Sequence, residues 1–267
     1  MPELPEVEAV RRSLAPFLTQ TRIADVEVRR PDLRVPFPRR FRARLVNQTV
    51  LSLTRRAKYL MAALSSSETL LVHLGMSGSF RVDSESVDRH DHVVIHMSSG
   101  AVVIFNDPRR FGLMLLLTPA QLARHPVLSR LGPEPLSSDF DAAALARACR
   151  GRKTALKVAL LDQRIVAGIG NIYASEALHR ARLSPFRRGS TIATASGAPR
   201  EAAERLTEAI KHVLTTAIDR ASAAYRSSRF RVYDREGERC LRRGCGGIIR
   251  RRTQAGRSTF YCPVCQR

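Results

Sequence analysis

Two groups of residues in this chain could do chemistry. The first is Pro2-Glu3, directly behind Met1; the second is Cys240, Cys245, Cys262 and Cys265, crowded into the last segment. Removing Met1 would expose a proline whose nitrogen is a secondary amine, a nucleophile that no internal proline offers. An α-amino group titrates around 7.7–8.0 in reference peptides, so a useful fraction is unprotonated near neutral pH. Such an amine condenses with an aldehyde to give an imine, the covalent route of Schiff-base lysines. Glu3 stands beside it as a proton donor. The same residues also fit an ordinary helix start, because proline suits the first helical position and Glu3, Glu6 and Glu8 suit its positive end. Amine chemistry therefore needs support from the rest of the chain.

Cys240 and Cys245 are separated by four residues, Cys262 and Cys265 by two, and sixteen residues lie between the pairs. Four thiolates in two close pairs suit tetrahedral zinc. Clustered cysteines in a chain with no secretory signal favour metal over disulfides. Cysteine fills every position and leaves none for a reacting water, so the expected cofactor is one structural zinc ion. The intervening Ile248 to Tyr261 reads as two short strands around a glycine-containing turn, a hairpin with arginines along it.

Lys and Arg number 45 against 24 Asp and Glu, a net charge of +21 over 267 residues. That balance is the electrostatic footprint of a polyanion binder. No basic amphipathic anchor, lipidation signal, transmembrane run or signal-peptide core is present. The expectation is a soluble, cytoplasmic nucleic-acid binder that is monomeric and has no membrane partner.

The elements that must position these groups change character along the chain. Val7, Val10, Leu14 and Phe17 or Leu18 are spaced as one face of an opening helix, with Pro16 near its end. From Arg22 to Thr118 short apolar runs alternate with turns, among them Ile23–Val28, Thr69–Leu74, His92–Met97, Ala101–Phe105 and Leu113–Leu117. This pattern predicts a β-sandwich or barrel. Gly132-Pro133-Glu134-Pro135 reads as a linker. Helical periods follow over Ala142–Cys149, capped by Ser138 or Asp139, then Thr154–Leu161, Ile172–Ala181 and about Pro199–Ala224. Cys149 reads as a buried helix residue. The expected class is α+β, with a leading helix and sandwich over residues 1–132, a helical domain over 133–230 and a zinc-bearing hairpin over 231–267.

Several smaller motifs fit a polyanion partner. Gly168-Ile169-Gly170-Asn171 places a glycine turn before a helix, where backbone N–H groups bind phosphate, with Arg152, Lys153 and Lys157 nearby. The competing reading is a tight helix–helix corner. Asn106-Asp107-Pro108-Arg109-Arg110-Phe111-Gly112 is either a salt-bridged turn or a loop that pushes Phe111 into a base stack while Arg109 reaches base edges or phosphate. Met76 would be core and Lys58 a solvated charge by default.

Taken together, six ordered segments resemble the formamidopyrimidine-DNA glycosylase family. They are the opening Met1–Glu8, Arg55–Leu60, His73–Gly78, Asn106–Gly112, Gly168–Ala174 and Gly256–Cys262. The resemblance runs nearly end to end. It implies an N-terminal β-sandwich, a helical domain with a helix-two-turn-helix, and a four-cysteine zinc-finger hairpin, with damaged double-stranded DNA held in the cleft between them. It implies a bifunctional base-excision-repair enzyme, a glycosylase for formamidopyrimidines and 8-oxoguanine and an AP lyase. Pro2 would attack C1′, Glu3 would shuttle a proton on the sugar, Lys58 would serve β-elimination, and Arg257 would serve δ-elimination and phosphate contact. Met76, Arg109 and Phe111 fall at the family's void-filling wedge, which offsets the cost of unstacking. His90, Arg152, Lys153, Lys157 and Asn171 fall where the family contacts or positions the DNA backbone.

Two departures stand out. The span Ala221–Phe230 is shorter than the family's lesion-capping loop, and the first cysteine pair has a longer spacer. An enzyme resembling endonuclease VIII, for oxidised pyrimidines, and a non-catalytic zinc-dependent DNA-binding protein remain the alternatives. In a bacterial cell the protein would reach the nucleoid through DNA.

Overall fold

Helix α1 (Leu4–Leu18) begins two residues later than a first-position proline would place it: Pro2 lies outside the helix, and Glu3, in extended backbone, is its cap. The Glu6 carboxylate accepts from the Glu3 N–H at 2.7 Å, satisfying a donor that the first turn would otherwise leave open. Leu4, Val7, Leu14 and Leu18 are buried, and Val10 and Phe17 pack beside them as the spacing requires. Pro16 lies inside the last turn without stopping it.

The computed structural model describes residues 1–83, 88–221 and 230–267, with α7 described to Ala221. Residues 222–229, most of the span expected as a shortened lesion-capping loop, lie outside the described residues. The chain divides into two compact units, Met1–Ser129 and Arg130–Arg267.

In the first unit, α1 is followed by β1 (Thr21–Val28), α2 (Phe41–Leu45), β2 (Thr49–Arg56), β3 (Tyr59–Leu64), β4 (Thr69–His73), β5 (Ser79–Val82), β6 (Asp91–Met97), β7 (Val102–Asn106), β8 (Leu113–Leu117) and α3 (Pro119–Ala123). The strands are antiparallel, in the order β5-β7-β6-β1-β2-β3-β4-β8. β1 changes partner along its length: Thr21 and Arg22 pair with β2, while Ile23 to Val28 pair with β6 past an irregularity at Ile23/Asp25. A strand shared in this way lets both halves of the sheet face one core. Leu53, Leu60 and Val72 from one half meet Val93, Ile95 and Phe105 from the other in that core. β3 alternates half-buried and buried residues, the period-two signature of a sheet with one packed face.

The second unit holds α4 (Ala142–Cys149), α5 (Leu156–Leu161), α6 (Asn171–Arg180), α7 (Glu201–Ala221) and the hairpin β9 (Arg250–Gln254) and β10 (Arg257–Tyr261). The cap of α4 is Asp141, not Ser138 or Asp139. Its carboxylate accepts from the Ala144 N–H at 2.6 Å, the N3 position that a capping side chain reaches. Leu206, Ile210, Leu214 and Ile218 form the buried stripe of α7, and Cys149 is fully buried in the same core. Burial pushes the Cys149 thiol up to about 11, so it is an inert apolar residue of that core. No helix among the described residues is long and apolar enough to cross a membrane.

Candidate active site and nucleic-acid interface

Pro2 is half-buried and Glu3 is 2% exposed, while Met1 ahead of them is 46% exposed. Glu3 is therefore a carboxylate held at a helix start beside the nitrogen that loss of Met1 would free. Lys58, expected by default to be solvated, is buried. It occupies a two-residue turn between β2 and β3, where Arg56 pairs with Tyr59 and Ala57 sits in the left-handed region at φ 52°. The Arg55 guanidinium donates to the Ala57 carbonyl at 2.9 Å and closes the turn.

Strand register then adds a residue that the sequence reading did not assign. Tyr59 lies opposite His73 on β4, their rings 4.9 Å apart. Burial pushes His73 down to about 4, reinforced by the charges of Lys58 and Arg34. Its Nδ1 accepts from the Gly75 N–H at 3.0 Å, so the neutral ring carries its proton on Nε2. That places a neutral donor beside a buried cation. The only signal in the sequence was position, the last residue of a strand whose partner carries the lysine turn.

Two loops at the end of the sheet carry the proposed wedge. Met76 is 43% and Phe111 45% exposed, so both side chains are open to a partner. Arg109 lies over the Phe111 ring at 5.0 Å from its centroid. Gly75 has φ +64°, and a Cβ there would come within 2.3 Å of the Phe111 backbone, so glycine is required where the loops meet. The reading of Asn106–Gly112 as a salt-bridged turn finds Arg110 near Asp32 at 3.5 Å, while Arg109 sits on the aromatic ring. His90 is half-buried nearby in sequence, and the Asp107 N–H donates to its carbonyl at 3.0 Å.

In the second unit, the segment between α5 and α6 is stapled by one side chain. Gln163 donates to the Ile169 carbonyl and accepts from the Gly168 N–H, both at 2.8 Å. This fixes Gly170 as the cap and presents Asn171 at the first turn of α6. Lys153 is exposed, as a phosphate contact requires. Arg152 is half-buried, donating to the Ala148 carbonyl at 2.7 Å and lying 3.8 Å from Asp162.

Lys157, expected to contact or position the DNA backbone, is fully buried. Its ammonium donates to the Asn171 side chain at 2.6 Å, the Ser258 carbonyl at 2.8 Å and the Thr259 hydroxyl at 2.8 Å. Asn171 itself donates to the Ser258 carbonyl at 2.9 Å. The lysine thus ties α5 and α6 to β10, and Arg257 stands exposed on that strand one residue before Ser258. The hairpin turn Ala255-Gly256 has positive φ at both residues, the geometry that a tight two-residue hairpin favours.

The sulfur atoms of Cys240, Cys245, Cys262 and Cys265 all lie within 4.8 Å of one another. The separations Cys240–Cys265 and Cys245–Cys262 are 3.9 and 3.5 Å. A tetrahedron with metal–sulfur bonds of about 2.3 Å has edges of about 3.8 Å, so the four fit one zinc ion. Burial and the neighbouring Cys262 push the Cys265 thiol up to about 12, a cost that coordination of thiolates by a dication removes. His179 of α6 lies 3.3 Å from the Cys240 sulfur and joins the cluster to the helices.

Comparison with known proteins agrees along the whole chain. The formamidopyrimidine-DNA glycosylase N-terminal domain matches residues 1–114, the H2TH domain of that enzyme residues 131–228, and the zinc finger found in FPG and IleRS residues 237–267. The formamidopyrimidine-DNA glycosylases of Bradyrhizobium sp. (strain BTAi1) and Rhodopseudomonas palustris (strain BisB18) are 54% and 55% identical over 293 residues, with all of both chains covered. Among solved structures, the Lactococcus lactis enzyme in complex with FAPY-dG containing DNA is 31% identical with a TM-score of 0.88, covering 99% of this chain and 100% of that one. Fold and site together define a zinc-finger DNA glycosylase of base excision repair. The chain belongs to the formamidopyrimidine-DNA glycosylase family, whose members are bifunctional glycosylases and AP lyases.

Proposed function

We propose that the protein excises oxidised purines, formamidopyrimidines and 8-oxoguanine, from duplex DNA and then cleaves the strand through a proline imine. The observation that carries this reading is the buried Glu3, next to Pro2 at a helix start whose backbone is fixed by Glu6. After Met1 is removed, the Pro2 nitrogen lone pair bonds C1′ as the bond to the damaged base breaks. Glu3 delivers a proton to the sugar ring oxygen, and the opened sugar is held as an iminium. Loss of a C2′ proton then expels the 3′ phosphate, and loss of a C4′ proton expels the 5′ phosphate. Lys58 is assigned to the first elimination, and Arg257 to the second and to phosphate contact. Water hydrolyses the remaining imine and frees the amine.

Met76, Arg109 and Phe111 fill the space left by the extruded nucleotide, and His90, Arg152, Lys153 and Asn171 hold the backbone, with Lys157 acting on it through Asn171. The high positive charge and the family's DNA substrate support a monomeric, cytoplasmic protein associated with the nucleoid.

Borohydride reduction in the presence of an abasic duplex tests the covalent step. The wild-type protein forms an adduct whose protein mass lacks Met1. A Pro2→Glu variant, whose bulky second residue retains Met1, forms none. Absence of a wild-type adduct overturns the reading.

A further inference from the structure

We infer that Asp107 is a positioning residue for base extrusion, a group that bonds to both wedge loops and sets them against each other. This rests on the wedge reading of Met76, Arg109 and Phe111. Asp107 is fully buried. One carboxylate oxygen accepts from the Ser77 hydroxyl at 2.6 Å, and the other accepts from the Gly112 N–H at 2.7 Å. Ser77 directly follows Met76, and Gly112 directly follows Phe111. The Ser77 hydroxyl also accepts from the Arg109 N–H at 3.2 Å, so the third wedge residue is held through the same pair. The backbone of Asp107 extends the link to the β6 approach: its N–H donates to the His90 carbonyl at 3.0 Å, and its carbonyl accepts from His92 Nε2 at 2.9 Å.

A wedge works by replacing a base inside the stack, so its parts must keep their spacing while they push. Exposed loops bearing Met76 and Phe111 have little packing of their own to hold that spacing. A carboxylate can accept on both oxygens at once, and bonds of 2.6–2.7 Å to a charged acceptor are the strong kind. Asparagine has one accepting oxygen and an NH2, so it would keep the Gly112 bond and replace the other with an uncharged, weaker bond of reversed sense to the Ser77 hydroxyl. Glutamate would add a methylene in a fully buried site. The requirement is for aspartate.

The test uses Ser77→Ala, Ser77→Thr and Asp107→Asn, with Phe111→Ala as the control for the wedge itself. Each full-length protein is mixed with a duplex carrying one 8-oxoguanine next to 2-aminopurine, and with an unpaired strand carrying a preformed abasic site. Ser77→Ala and Asp107→Asn are expected to slow the 2-aminopurine fluorescence rise and duplex excision about tenfold, the scale of one lost buried hydrogen bond. Cleavage of the unpaired abasic strand, which needs no extrusion, stays near the wild-type rate, and Ser77→Thr restores the duplex rate. Wild-type fluorescence kinetics in both variants, or equal losses on both substrates, would overturn the inference. If Phe111→Ala also leaves the duplex unaffected, the wedge reading has failed; if it alone slows extrusion, only the role of Asp107 has. Should Asp107→Asn not fold, Ser77→Ala and its threonine rescue decide the question.

Discussion

Glu8 of α1 and Arg55 of β2 meet at 3.3 Å, each side chain only 12% exposed. Arg55 also closes the Lys58 turn through the Ala57 carbonyl, so one guanidinium joins the helix that begins at Glu3 to the turn that carries the lysine. Burial by itself would raise the Glu8 carboxyl. Hydrogen bonds from Arg11 and Arg12, with the charges of Arg11 and Arg55, outweigh it and hold Glu8 below 4.5. Breaking the link should therefore disturb both the chemistry and the stability of the fold.

Glu8→Gln is expected to lower the single-turnover rate of β-elimination on abasic DNA roughly tenfold, the scale of losing one charge-assisted bond. A carboxyl lowered in the folded state stabilises above its unfolded value and loses that contribution as pH falls through the folded one. The gap in Tm between wild type and Glu8→Gln should thus be full at neutral pH and close below pH 4.5. A gap that persists in acid would contradict the ion-pair account.

His73 gives a second pH signature. Its folded value of about 4 lies below the ordinary 6.5, so between those limits the unfolded chain binds more protons. Stability must then fall as pH drops from 6.5 towards 4. Urea midpoints measured across that window should show a steeper fall for wild type than for His73→Gln. Equal slopes would mean that His73 is not held neutral.

Lys157 and Lys153 separate burial from phosphate contact. Losing an exposed phosphate contact reduces the slope of log K against log salt by about 0.9. Lys153→Ala should show that reduction. Lys157→Met should weaken DNA binding with the slope unchanged, because its ammonium is spent on Asn171, Ser258 and Thr259. Titrations at several salt concentrations check both outcomes.

The zinc ion should be needed for the hairpin to exist. The apolar core beneath it consists of Val232, Ile249, Phe260 and Cys262, too few residues to offset the ordering of a two-stranded ribbon. Treatment with a strong chelator is expected to remove protection from exchange at β9 and β10 and to abolish DNA binding. The β1–β8 amides keep theirs. Zinc should restore both.

Much of this protein is legible in the linear chain, because several of its devices are local. The zinc cluster follows from cysteine spacing, the helices from three-to-four periodicity, and the proposed chain-end amine from Pro2 directly behind Met1. The segments proposed as the wedge and as part of the helix-two-turn-helix are visible there only as turns: Asn106–Gly112 by itself also reads as a salt-bridged turn and Gly168–Asn171 as a helix–helix corner, and the family resemblance supplies their roles. What the sequence could not decide was where polar side chains end up once strands pair. Lys58 and Lys157 carry the same charge as dozens of surface residues, and only tertiary packing buries them. His73 gains its neutral ring from register across β3 and β4, and Asp107 gains its two loops from backbones that are distant in sequence. Burial strips such groups of water, and the partners that replace it arrive only with the fold.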